Sequence, residues 1–362
     1  MSFLSFFRTS LGLAFAGLLA SGLLRAAPAA PAPDAPANPF LWRIEGKDLS
    51  KPSYLMGTMH LADPAISRPH NVVRAAIKAS DCLWTELDLK SEETKAAVAA
   101  QSYLKNGERL SRIASPEVVQ RLDAELKHIS PLLGAKDFDR LEPWALAACL
   151  DMLGEELENY GAEPLDERIQ TIARGYGKRT AAIETAEEQV GVFSAFTRSQ
   201  HLRILELTLI QKEKDRAAGR DRLQEMKTVF RSGDLNALAR MVDDKSLEEG
   251  FTAEDKALAD SLEKRMLGDR NVRMAERMDV AMRKDGTQGH FFAVGAAHMV
   301  GDAGVVELLK KRGYAVRRVV VPAAIAAPVP AASGAKEPVP AEDSRNFKMR
   351  PASARVDAAK AA

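Results

Sequence analysis

The chain has 362 residues, with 51 Lys and Arg against 50 Asp and Glu, a formal net charge of +1. That balance argues against a surface built for phosphate contacts. With 6% aromatic residues, base-stacking platforms are not expected either, so no nucleic-acid partner is expected. Hydrophobic residues make up 46% of the chain, enough for a sizeable core. Two cysteines, Cys82 and Cys149, are too few for a disulfide scaffold or a four-cysteine zinc site.

Residues 1–27 read as a secretory signal peptide. Arg8 and Arg25 bracket 16 uncharged, mostly apolar residues, and small residues follow. That stretch falls short of the ~20 residues that span a bilayer. The expected product is exported, periplasmic or secreted, with no stable membrane span after cleavage. Export would permit a Cys82–Cys149 disulfide, and two buried thiols fit equally well. Residues 28–38 form an Ala/Pro linker. Residues 322–362 hold 14 Ala and 6 Pro and are predicted to be a disordered tail, because they cannot bury enough apolar surface to offset ordering. The folded domain is expected over 39–321.

Within that domain Phe40–Ile44 and Ser53–Gly57 predict a hairpin. A short helix over Asn71–Ala79 follows. Cys82–Leu89 reads as a strand, with Cys82, Trp84, Glu86 and Asp88 on one face. The middle is helical: Glu142–Asn159 by its 3.6-residue period, then Leu165–Gly175. Arg179–Glu184 is a short strand. Thr185 and Glu188 form a capping-box pattern that opens the next helix. Long helical stretches run from Arg198 to Ser232. Gly219 breaks them, and Lys212–Arg222 is charged enough to be solvated. Val272–Lys284 is a helix with Val272, Ala275, Met278 and Met282 inward. His290–Gly295, Asp302–Arg312 and Tyr314–Val321 read as strand, helix and strand, a unit that predicts a parallel pair. The fold class is α/β (α+β): a mixed central sheet built from both ends of the domain, with a large helical insertion.

One signature occurs twice. SYLMGTMHLAD (Ser53–Asp63) and FFAVGAAHMVGD (Phe291–Asp302) each run from an apolar strand through Gly to a His three residues later. Glycine at a strand end permits a tight turn and close backbone approach. The histidine then projects at the carboxyl edge of the sheet, where open α/β sheets bind ligands. His60 and His298 are therefore expected to meet at one site. His70, His128, His201 and His290 lack this setting. Glu86, on an otherwise apolar strand, needs a partner or a metal if buried, and Asp88 is its substitute on the same face. Glu184 ends a second strand. Arg270 can clamp a carboxylate or carbonyl oxygen. Two histidines and a carboxylate suit Zn, Mn, Co or Fe, with open positions for water. HExxH, G-x-S-x-G, P-loop and CxxC patterns are all absent from the sequence.

With GTMH (Gly57–His60), TELDL (Thr85–Leu89), EPWALA (Glu142–Ala147), Leu165–Asp166, AIETAEEQ (Ala182–Gln189), RNVRMAERM (Arg270–Met278) and the second GxxH segment in order, the chain resembles the TraB/GumN family, related to the Tiki metalloproteases. The resemblance implies a mixed α/β core and a divalent-metal site at His60, Glu86 and His298. Glu184, Arg270 and Asn271 match further polar motif positions. The expectation is an exported metal-dependent hydrolase acting on a peptide or small protein. Metal-activated water would be the nucleophile, Glu184 the general base, and Arg270 with Asn271 the stabilisers of the substrate carbonyl. A non-enzymatic protein that sequesters a peptide signal, and a metal- or haem-iron-binding protein, are the alternatives.

Overall fold

The computed structural model describes residues 38–321. The signal peptide, nearly all of the Ala/Pro linker and the Ala/Pro tail expected from the sequence lie outside them. The strands are β1 (Leu41–Glu45), β2 (Ser53–Thr58), β3 (Cys82–Thr85), β4 (Arg179–Ala182), β5 (His290–Gly295) and β6 (Ala315–Arg318). They form one mixed sheet in the order β4-β3-β5-β2-β1-β6. β4, β3, β5 and β2 run parallel, while β1 is antiparallel to both β2 and β6. The sheet thus combines strands from both ends of the domain, as the sequence predicts. β5 lies at its centre and is buried along its whole length, as its run of apolar residues requires.

The helices that position the site are α1 (Asn71–Ala79), α2 (Pro143–Cys149), α3 (Leu153–Glu158), α4 (Leu165–Gly175), α5 (Ala186–Val190), α6 (Arg198–Ala217), α7 (Arg222–Ser232), α8 (Asp269–Lys284) and α9 (Val305–Lys311). The apolar residues fall into two clusters. One surrounds the sheet and includes Phe40, Leu55, Phe291, Phe292 and Met278. The other lies inside the helical insertion and includes Leu122, Phe138, Leu146, Phe193 and Leu205. Leu267 packs against both.

Several elements depart from the sequence reading. β5 and β6 point the same way but do not pair, because the β1–β2 hairpin lies between them. β3 stops at Thr85, where the Thr85 hydroxyl donates to the Leu87 carbonyl and turns the chain. Glu142–Asn159 is two helices, α2 and α3. Val272 is 48% exposed; the inward face of α8 is Arg270, Asn271, Met274, Ala275, Met278 and Met282, out of the expected phase at its start. Lys212–Arg222 is mostly exposed, as its charge suggests, and its two ends are held by ion pairs. Lys212 pairs with Asp151 at 2.7 Å and Arg222 with Asp215 at 2.5 Å. Gly219, at φ 62°, sits between α6 and α7, as expected. Cys82 and Cys149 are both buried free thiols.

Gly57 is where the two echoed segments touch. A Cβ there would lie 3.0 Å from Ala296 Cα and 3.1 Å from Phe40 Cβ. The glycine serves close approach between the strand-end turns. Gly57→Ala is expected to destabilise the protein by about 1–3 kcal/mol through overpacking against backbone, measured by denaturant unfolding.

Candidate functional site

Four parallel strands end at one edge of the sheet, and each is followed within three residues by a buried polar side chain. His60 comes two residues after β2, Glu86 one after β3, Glu184 two after β4 and His298 three after β5. Their exposures are 7%, 4%, 3% and 0%. The edge holds together because Ile183 N–H donates to the Thr85 carbonyl and Glu184 N–H to the Glu86 carbonyl. This is the carboxyl edge at which such sheets bind ligands.

Arg270, in the first turn of α8, crosses to these strand ends. A π-helical turn over Lys264–Gly268 precedes it, and Arg270 Nη1 donates to the Met266 carbonyl at 3.3 Å. Turns of this kind often lie at functional sites. Arg270 is fully buried. Its Nη2 donates to Glu86 Oε2 at 2.6 Å and to Glu184 Oε2 at 2.7 Å, and its Nε donates to Glu184 Oε2 at 3.0 Å. Arg273 donates to the other Glu184 oxygen at 3.1 Å. Glu86 also accepts from Gly295 N–H at 2.6 Å and from Gln189 Nε2 at 3.0 Å. Burial alone would raise the Glu86 carboxyl. Arg270, His298, His60 and the Gly295 amide together outweigh it and hold it at about 2. The same carboxylates keep Arg270 charged.

The two motif histidines sit in different surroundings. His298 Nδ1 lies 2.5 Å from Asn271 Oδ1, and Asn271 Nδ2 donates to the Ala303 carbonyl at 2.9 Å. With the amide held that way round, Nδ1 carries the proton and Nε2 the lone pair. His298 Nε2 has no hydrogen-bond partner among the described residues and lies 3.8 Å from Glu86 Oε1. Burial, then Arg270, lowers His298 to about 3, so the ring is neutral. His60 Nδ1 lies 2.7 Å from Asp166 Oδ2, within ion-pair distance. Burial opposes charge on His60, but Asp166 and then Glu86 outweigh it and raise its pKa. Asp166 Oδ1 accepts from Thr58 Oγ1 at 2.6 Å.

The donor chemistry fits a divalent ion. Among the described residues, His60 Nε2 and His298 Nε2 are buried without hydrogen-bond partners, and Glu86 Oε1 keeps a second lone pair beside His298. The side-chain positions are not drawn together: among the described residues no three His, Cys, Asp or Glu form a metal-holding group. Arg270 and Glu184 face one another, and Asn271 is turned to His298 and the Ala303 carbonyl, so none of the three lines the cavity beside His60. Asp88 is apart, paired with Arg174 at 3.3 Å. Asp166, Thr58, Gln189 and Arg273 were not singled out from the sequence as site residues. The signal for Asp166 is its place in the Leu165–Asp166 motif, which by its position in the first turn of α4 reads equally as a helix-dipole carboxylate.

A cavity of about 770 Å³ opens beside His60 between the sheet edge and the helical insertion. Glu156 of α3 lines it, and burial pushes that carboxyl up to about 8.

A mixed sheet with buried histidine, carboxylate and guanidinium groups at its carboxyl edge defines an α/β protein with a candidate hydrolytic or metal-binding site. The profile of the TraB/PrgY/gumN family matches residues 40–318, and the chain belongs to that family. It is 28% identical over 316 residues to "Metalloprotease TIKI2" of Danio rerio, covering 77% of this chain and 60% of that protein. To "Metalloprotease TIKI1" of Xenopus tropicalis it is 25% identical, covering 76% and 61%. To "Metalloprotease TIKI1" of Homo sapiens it is 24% identical, covering 77% and 61%. The chain therefore spans about 60% of the length of these relatives. No solved structure matches it. No helix among the described residues is long and apolar enough to cross a membrane.

Removing Arg270 leaves two buried carboxylates without their cation. Arg270→Met is expected to cost about 3–5 kcal/mol in denaturant unfolding. Arg270→Lys should recover only part of that, because an ammonium cannot reproduce the planar fork.

Glu156 gives a pH prediction of opposite sense to acid unfolding. Its folded pKa of about 8 lies above the ordinary value of 4.5, so the folded chain holds the proton between those values. Its contribution to stability is present below that window and is lost as pH rises through it. The Cys149 thiol behind it is held protonated by burial, and neighbouring Glu155 is paired with Lys227. Each pKa unit corresponds to ~1.4 kcal/mol, so Glu156→Gln should exceed the parent by at least about 1 kcal/mol at pH 8 and match it near pH 4.

Proposed function

We propose that this chain is an exported, metal-dependent hydrolase that cleaves peptide bonds. The observation that carries the reading is the pair of buried imidazole nitrogens, His60 Nε2 and His298 Nε2, that lack partners beside Glu86, with His60 on the wall of a cavity. The similarity to proteins named metalloproteases supports it. His60, His298 and Glu86 would hold a divalent ion; Mn, Co, Zn and Fe all accept this donor set. Bound there, the ion would polarise a carbonyl and make water nucleophilic near neutral pH. Export is read from residues 1–27.

The chain's own groups take the supporting parts. Asn271 fixes the His298 tautomer so that the lone pair is on Nε2. Arg270 holds Glu86 ionised. Glu184 has both oxygens engaged by Arg270 and Arg273, which suits it to anchoring Arg270 better than to taking a proton, the role expected from sequence. That engagement favours one second reading, in which the protein binds and sequesters a peptide without cleaving it.

The test is the purified protein, stripped with chelator and incubated with a mixed peptide library alone or with Mn, Co or Zn. Cleavage that returns with metal is the expected result. Saturable binding without products would establish sequestration instead. His60→Ala and His298→Ala should each lose bound metal and reduce cleavage by ~100-fold or more, with the double variant little worse than either. Full metal occupancy in either variant would remove that histidine from the site.

A further inference from the structure

The cavity at His60 has an acidic wall, and one of its carboxyls has no cation partner among the described residues. Five glutamates and two lysines line the space. Lys90 meets Glu163 at 2.7 Å and Glu167 at 3.0 Å, Lys95 meets Glu92 at 2.9 Å, and Glu155 meets Lys227 at 3.0 Å from outside the cavity. Glu156 meets no cation among the described residues. A partly buried carboxyl without a counter-ion is unfavourable in the charged form, which is the cause of its raised pKa. A second feature of the same cavity points to a ligand: His60, 7% exposed, lines it with Nε2 unpartnered. Leu61, Leu89 and Tyr160 add apolar surface to the same lining.

We propose that the cavity takes a peptide bearing a lysine or arginine side chain, which pairs with the Glu156 carboxylate as that group releases its proton to solvent, while the neighbouring backbone lies at His60. The inference rests on the peptide reading above and adds the substrate class. The stem of a long cationic side chain suits the apolar surface, and its head supplies the charge that the wall lacks. A leucine in that place leaves Glu156 unpaired, and a glutamate adds repulsion from a wall already in acidic excess.

The experiment measures binding of labelled octapeptides to the purified full chain by fluorescence anisotropy. The peptides are identical except for Lys, Arg, Leu or Glu at one position scanned along the sequence. Lys and Arg peptides are expected to bind at least about tenfold tighter than Leu or Glu peptides, the size of one charge-assisted contact. Glu156→Gln should bring that ratio to within about threefold, and Glu156→Lys should turn the preference toward Glu peptides. Equal affinity for all four peptides on the parent protein, or a preference that survives both variants, overturns the inference and leaves the peptide reading standing. Failure of every peptide to bind overturns the peptide reading and the inference with it.

Discussion

A guanidinium with no access to water persists only where carboxylates surround it, and Arg270 sets that condition for the whole sheet edge. Glu86 and Glu184 come from strands nearly a hundred residues apart, and Arg270 arrives from a helix far beyond both. None of the three could be buried without the others. Arg270 and Arg273 against Glu86 and Glu184 make two positive and two negative charges, so the core of the cluster is neutral. The π-helical turn before α8 belongs to the same constraint. It supplies the Met266 carbonyl that takes a further Arg270 N–H, and its Leu267 packs against both apolar clusters.

That charge also explains why two histidines delivered by the same motif end up different. His298 lies on the Arg270 side, with a neutral amide on its other nitrogen, and stays uncharged. His60 lies beside Asp166, which favours the charged ring. Paired titratable groups whose surroundings push them apart are the usual basis for dividing roles within a site. Here the division comes from which element packs behind each ring: the first turn of α8 behind His298, and the first turn of α4 behind His60.

The histidines and Glu86 were legible in the sequence because their setting is local. An apolar run, a glycine and a histidine fall within eight residues, and a carboxylate follows an apolar strand at once. The order of strands was only partly legible. A strand–helix–strand unit fixes direction, and it says nothing about the β1–β2 hairpin lying between β5 and β6. Val272 was misplaced because the apolar period of α8 alone does not reveal that two polar residues, Arg270 and Asn271, take the inward places at its start. The supporting shell was least legible. Asp166, Gln189 and Arg273 are ordinary helix residues by composition, and only folding aims them at His60, Glu86 and Glu184.

The two apolar clusters give these roles separate supports. The histidines and Glu184 rise from the sheet and its surroundings, whereas Glu156 belongs to a helix of the insertion. The cavity at His60 is lined by both, by the sheet-edge segment Leu61–Ala62 and by Glu156 with Tyr160. A substitution in that outer wall need not disturb the packing that holds Arg270, because the wall's charges pair locally, as Lys90 does with Glu163 and Glu167. Loops and insertions carried on a rigid scaffold are where specificity can change at low structural cost. The fold therefore separates the groups that would perform chemistry, locked around one buried cation, from the groups that would select what reaches them.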